Sequence, residues 1–165
     1  MTLYSHDKDS HRDHLLQVFE ILRRNNLLLN KKKYYFESFS IEYFGHIIFA
    51  QVVPDPKKIC DMVDWPTPKD LKALRGFLGL TGYYRRFVKG YSSITWPLTQ
   101  LLQKDSFQWD AEADSTFHQL KTVIVSVPVL ASPCFSKPFQ LETDASGKGA
   151  GAVLMKEGRL IAFMS

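Results

Sequence analysis

Cysteine is nearly missing from this chain of 165 residues, which holds only Cys60 and Cys134. Two thiols so far apart make neither a metal-binding motif nor a disulfide framework, and they read as unpaired thiols in a reducing compartment. Long apolar runs are also missing: none approaches the eighteen or so residues that a membrane span requires. The polar start with His6, His11 and His14 is no secretory signal, and Asp7, Asp9 and Asp13 argue against an acid-poor mitochondrial presequence. The compartment is thus expected to be intracellular and is otherwise unspecified. Repeats and low-complexity tracts are absent as well. What remains, 45% hydrophobic and 23% charged residues, is an ordinary globular composition, long enough for one domain or pieces of two.

The net charge of +4 is a mild hint of polyanion partners. Its clustering says more. Arg23-Arg24, Lys31-Lys32-Lys33, Lys57-Lys58 and Arg85-Arg86 with Lys89 form four basic knots. A solvated surface accounts for most such knots; the last one follows an unusual helix. From Leu71 to Phe87 an apolar and basic run carries Gly76, Gly79 and Gly82 in its interior. Each interior helix glycine costs roughly 1 kcal/mol relative to alanine. Something must therefore need a bare backbone there, either a helix packed at close range or a nucleic-acid backbone.

The periodicities predict an α+β chain. A helix opens with Ser10-x-x-Asp13, shows the stripe Leu15, Val18, Phe19 and Leu22, and ends at Asn25-Asn26. Ser40 to Phe49 alternates as a hairpin, with Gly45 as its bend. Gln51-Val52-Val53 is expected to be a turn, for which valine is a poor occupant. A short helix follows over Lys57 to Val63. Thr67 is the expected N-cap of the glycine-bearing helix, with Pro68 at its first position and fraying near Gly79 to Gly82. Further helices are predicted from Ile94 to Leu102, with Pro97 near the first turn, and from an Asp110 cap to Val125. Strands follow near Phe139 to Thr143, Ala150 to Met155 and Leu160 to Met164, with a hairpin turn at Lys156-Glu157-Gly158.

Three motifs, in order, carry a resemblance. Trp65-Pro66-x-Pro68 with Leu74-Arg75-Gly76-Phe77-Leu78-Gly79-Leu80-Thr81-Gly82-Tyr83-Tyr84-Arg85-Arg86-Phe87 resembles the thumb of reverse transcriptases from gypsy-type LTR retrotransposons. Tyr43-Phe44-Gly45-His46-Ile47-Ile48 resembles the primer-grip hairpin that precedes it. Phe139-Gln140-Leu141-Glu142-Thr143-Asp144-Ala145-Ser146, with Gly149 to Leu154, resembles the first strands of the RNase H domain. The resemblance implies a palm end with its helix and primer-grip hairpin over residues 1–54. A thumb would then occupy 55–104, and a connecting helix with the first antiparallel strands of an RNase H-like sheet 105–165. Two departures stand out: Tyr34 where the family commonly has cysteine, and Gln51-Val52-Val53 without the family's turn glycine.

In the family the polymerase aspartate pair precedes a strand ending in Tyr-Ser, here Met1 to Ser5, so the pair would fall upstream of Met1. Asp144 matches the first metal-binding aspartate of RNase H, but Glu157 is the only acid after it. Two-metal phosphoryl chemistry needs several converging carboxylates. The chain is therefore expected to be a catalytically inactive remnant, with no cofactor of its own, although the intact family enzyme uses Mg²⁺. Its expected partner is an RNA/DNA hybrid or nucleic-acid duplex, bound weakly, with no membrane role. Placed on the family pattern, Lys72, Gly76 and Leu80 line the duplex-facing stripe of the thumb helix. Gly45 and His46 belong to the primer grip, though a hairpin histidine is more often simply a surface polar residue. Arg85 and Arg86 are the phosphate-facing knot, while Tyr83-Tyr84 read more readily as core than as base-stacking residues. Two rival readings remain: part of an active reverse transcriptase/RNase H polyprotein, or a host-recruited nucleic-acid or protein-binding module. His11 and His14 lie one helical turn apart, a spacing that can coordinate a metal, but no third ligand or glutamate accompanies them in the sequence.

Overall fold

A computed structural model describes the chain except residues 1, 2, 4, 6, 31–33, 37, 39, 50, 104, 105, 134, 147 and 148; of Ser146 and Gly149 only the backbone is described. The strand expected at Met1 to Ser5, the basic knot at Lys31 to Lys33 and the thiol of Cys134 fall wholly or largely outside the described residues. The chain divides into two compact units, Met1–Ser38 and Phe39–Ser165.

The first unit is built on helix α1, Lys8–Arg24. It starts three residues before the expected position because Asp7, not Ser10, is the cap: its carboxylate accepts the Ser10 amide at 2.8 Å. The C-terminal end is where the sequence put it, at Asn25, with Asn26 in the left-handed region at φ 52°. None of the α1 residues is buried, so its apolar stripe stays half covered. Phe19 meets Phe36 edge-on at 6.4 Å, and Tyr34 lies 5.8 Å from the same ring.

In the second unit, strands β1 (Ile41–Tyr43), β2 (His46–Ile48), β3 (Gln51–Pro54) and β4 (Leu130–Ala131) form one antiparallel sheet in that order. Gln51-Val52-Val53 is thus strand and not turn. Val53 pairs with Ile47, and Val52 pairs with both Ile48 and Leu130. The β-branched residues occupy extended backbone, which suits them.

Helices α2 (Pro56–Val63), α3 (Leu71–Tyr83), α4 (Tyr91–Gln100) and α5 (Ala111–Val125) surround the core, with a short 3-10 turn at Arg85–Phe87. The expected Thr67 cap of α3 is displaced to Asp70, whose carboxylate accepts the Ala73 amide at 2.7 Å. Thr67 precedes a proline and is biased toward extended backbone, and Pro68 is buried in the approach to the helix instead of opening it. All three glycines lie within α3, with no fraying. Helix α4 starts earlier than expected, after Gly90 at φ 65°, which leaves Pro97 in its interior. Asp110 caps α5 as expected and accepts the Ala113 amide at 2.8 Å.

Leu74, Phe77, Phe87, Leu98, Phe117 and Leu120 are essentially inaccessible and form the core between these helices. Each such side chain contributes about 1.5–3 kcal/mol by leaving water. A second sheet runs β5 (Gln140–Ser146), β6 (Gly149–Lys156) and β7 (Arg159–Met164), all antiparallel. Its β6–β7 turn has Glu157 at φ 51° and Gly158 at φ 72°. The protein is an α+β fold, as the sequence implied.

Candidate nucleic-acid interface

Along α3 the buried residues are Leu74, Phe77 and Thr81. The opposite face carries Lys72, Gly76, Gly79 and Tyr83, all exposed. At 3.6 residues per turn these four fall within an arc of roughly 60°. Lys72 and the neighbouring exposed Arg75 bring positive charge, and the glycines leave the middle of the face without side chains. Leu80 does not belong to this face. It packs against the core, and Gly79 and Tyr83 take its place on the exposed line.

The glycines differ in what surrounds them. A Cβ on Gly76 would lie 3.3 Å from Cζ2 of Trp65, whereas one on Gly79 would meet nothing within 4 Å. Gly76 is thus explained by the indole packed beside it. Among the described residues no contact accounts for Gly79, and the sequence alone could not separate the two. Trp65 is itself held from α5, where Lys121 Nζ donates to its carbonyl at 2.5 Å while lying 4.4 Å from the Phe117 ring centre. Burial among these groups lowers the Lys121 pKa from its ordinary value, and Asp64 partly offsets that.

At its C-terminal end the α3 face reaches the β1–β2 turn. Phe44 and Gly45, at φ 48° and 70°, make the two-residue turn that matches strand twist when both φ values are positive. For phenylalanine this conformation costs of order 1–2 kcal/mol. Two hydroxyls hold it: Tyr83 donates to the Phe44 carbonyl at 2.6 Å and Tyr84 to the Gly45 carbonyl at 2.9 Å. A Cβ on Gly45 would sit 2.7 Å from the Tyr84 hydroxyl, so Gly45 is needed for this internal contact as well as for its φ. The adjacent tyrosines have opposite settings. Tyr83 is half exposed, against the expectation of core, and Tyr84 is buried. Burial, then the neighbouring Tyr83, push the Tyr84 pKa up to about 12.

His46 departs from its expected surface position; only 4% of it is accessible. Its ring stacks on Phe87 at 5.6 Å and lies 5.2 and 5.4 Å from Tyr83 and Tyr84. Nδ1 is 2.9 Å from the Phe44 carbonyl, which fixes a proton on that nitrogen, since a carbonyl only accepts. Burial, and secondly the Arg86 guanidinium, lower its pKa against the backbone hydrogen bonds that raise it. The ring therefore shapes the turn from beneath. Arg85 and Arg86 are both exposed, and Arg86 also lies 5.2 Å from the Phe87 ring centre. A concavity of about 370 Å³ opens beside the turn, lined by Tyr43, Phe44, His46, Ile48, Val52, Tyr83 and Arg86.

Asp144 stands exposed on β5, with Gly151 opposite it on β6. Glu157 lies in the turn at the far end of β6 and is paired with Lys137, which pulls its pKa down. Among the described residues no three His, Cys, Asp or Glu side chains gather closely enough to hold a metal ion. One aspartate without converging acids does not fit the two-metal arrangement of an RNase H centre.

Residues 109–165 match the family described as an RNase H-like domain found in reverse transcriptase. The retrovirus-related Pol polyprotein from transposon opus of Drosophila melanogaster is 36% identical over 99% of this chain, which spans 18% of that relative. The Pol polyprotein from transposon gypsy of the same organism is 32% identical, again over 99% of this chain and 17% of its own length. An uncharacterized mitochondrial protein of Arabidopsis thaliana is 47% identical over 77% of this chain and 82% of its own length. Over nearly its whole length the chain is similar to retrotransposon Pol polyproteins, of which it spans under a fifth. Among solved structures, the foamy viral protease-reverse transcriptase in complex with RNA/DNA hybrid superimposes with a TM-score of 0.83 at 21% identity, covering 98% of this chain and 23% of that one. A foamy viral form in complex with double-stranded DNA gives 0.83 at the same identity, with 98% and 30% covered. At that identity the likeness establishes the fold. Within the described residues, no helix of this chain is long and apolar enough to cross a membrane.

Proposed function

We propose that this chain is the duplex-gripping region of a gypsy-type reverse transcriptase. In this reading residues 1–54 are the palm end, 55–104 the thumb, and 105–165 the connection and the start of the RNase H-like domain. The exposed face of α3 tracks an RNA/DNA hybrid or DNA duplex, the Phe44-Gly45 turn supports one strand, and Arg85 and Arg86 neutralise phosphates.

One observation supports this above the others. A side-chain-poor line with lysine at one end and tyrosine at the other leads to a turn held by two hydroxyls. A bare helix surface approaches a shallow minor groove closely, and contacts of that kind read shape more than sequence. The foamy viral proteins of similar fold are described in complex with double-stranded DNA and with RNA/DNA hybrid, which agrees with this partner class. The 165 residues perform neither nucleotide transfer nor strand cleavage by themselves; in a longer polyprotein, carboxylates from elsewhere would hold the divalent ions.

Fluorescence anisotropy with a short RNA/DNA hybrid at several salt concentrations tests the reading. Micromolar affinity that falls with salt and with Lys72→Ala is expected. No binding even in low salt would refute duplex gripping.

A further inference from the structure

His11 and His14 occupy the first turns of α1, far in sequence from the duplex-facing helix, and their rings turn the same nitrogen toward one atom. Ser5 Oγ lies 3.1 Å from His11 Nδ1 and 2.8 Å from His14 Nδ1. A hydroxyl carries a single proton and can satisfy only one of two ring lone pairs. The other ring must then keep its own proton on Nδ1. With both rings in the tautomer that carries its proton on Nε2, a divalent cation between them would meet both Nδ1 lone pairs at once.

We propose that His11, His14 and Ser5 form an open zinc-class metal site at the start of α1. Imidazole suits zinc, nickel and copper and does not suit magnesium, so the site is chemically distinct from the ions of phosphoryl transfer. Zinc binds imidazole nitrogen at about 2.0–2.1 Å, so both rings must draw closer to the ion than they now lie to the serine oxygen. Ser5 Oγ or water completes the coordination. The α1 N-terminus opposes a cation through its dipole. The Asp7 carboxylate, held by the Ser10 amide and hydroxyl at 2.8 Å each, and Asp9 in the first turn counter that opposition. The sequence offered no third ligand because Ser5 precedes the helix and shares no periodicity with the histidines.

The site shares no residue with the proposed duplex face, and its test does not depend on nucleic acid. Calorimetric titration of the tag-free 165-residue chain with Zn²⁺ at pH 7.5 should give one site, with no response to Mg²⁺. His11→Ala and His14→Ala should each weaken it by about tenfold or more. Substitution by Co²⁺ should give a visible absorption band that the double variant loses. His118→Ala removes the histidine paired with Asp114 and should change nothing. Helicity by circular dichroism should persist in every variant, since α1 buries none of its residues. Absence of zinc uptake at millimolar metal, or uptake that survives in the double variant, would overturn the assignment.

Discussion

The indole of Trp65 lies against the bare backbone of Gly76, so close that an added Cβ would sit 3.3 Å from the ring. That contact separates two glycines which look alike in the sequence. Gly76→Ala should gain little or lose stability, because Trp65 is anchored by Lys121 and cannot easily yield. Gly79→Ala, with open space around it, should stabilise the fold by about 1 kcal/mol through helix propensity. The same substitution should weaken hybrid binding if the α3 face lies along a duplex. Urea denaturation and hybrid anisotropy on both variants check this, and a destabilised Gly79→Ala would show that something else fills that space.

The β1–β2 turn depends on two hydroxyls that come from 39 residues away. Tyr84→Phe removes one of the two hydrogen bonds that the Gly45 carbonyl accepts, the Asp55 amide staying at 2.9 Å, and should cost about 1 kcal/mol. Tyr83→Phe should cost less, because water can replace its hydroxyl at the half-exposed Phe44 end. Equal losses from the two variants would mean that burial does not distinguish the bonds.

Much of this architecture was legible in the sequence because it is local. The Asp110 cap announced α5, and the alternation around Gly45 and the turn at Glu157-Gly158 announced the hairpins. The errors lie where distant residues decide. β3 needed Leu130 as a partner, 78 positions beyond Val52, before Gln51-Val52-Val53 became strand instead of turn. Asp70 and Thr67 are both good caps, and the burial of Pro68 chose between them. His46 has a surface residue's chemistry, and its aromatic enclosure comes from side chains some forty residues downstream. Leu80 was assigned to the α3 face because three glycines among the thirteen residues of that helix leave the apolar stripe too sparse to fix its rotation.

Stability should fall at both ends of the pH range for opposite reasons. His46 is held below its ordinary pKa, so the unfolded chain takes up its proton first as pH drops. Its contribution is complete above about pH 6.5 and is lost as pH falls through the depressed native value. Tyr84 has the reverse sign. With its native pKa near 12, its contribution is complete below about pH 10 and is lost as pH rises from there toward 12. Urea midpoints across pH should show both limbs. His46→Gln, which can still donate to the Phe44 carbonyl, should flatten the acid limb, and Tyr84→Phe the alkaline one. An unchanged acid limb in His46→Gln would assign it to carboxylates instead.

Asp144 tests the separation of grip from chemistry. Glu142 shares its face of β5 two residues back, about 7 Å along the strand, while Glu157 lies about 20 Å away beyond the far end of β6. Glu157 is further engaged by Lys137. Two exposed acids at that spacing cannot clamp the attacking and leaving oxygens of a phosphodiester between two ions. The 165-residue chain should therefore leave an RNA/DNA hybrid intact in Mg²⁺ or Mn²⁺, and Asp144→Asn should bind that hybrid as well as the parent does. Cleavage by the parent chain that vanishes with Asp144→Asn would mean that a third ligand is recruited from the nucleic acid itself or from residues outside those described, and the division of labour proposed for this chain would fail.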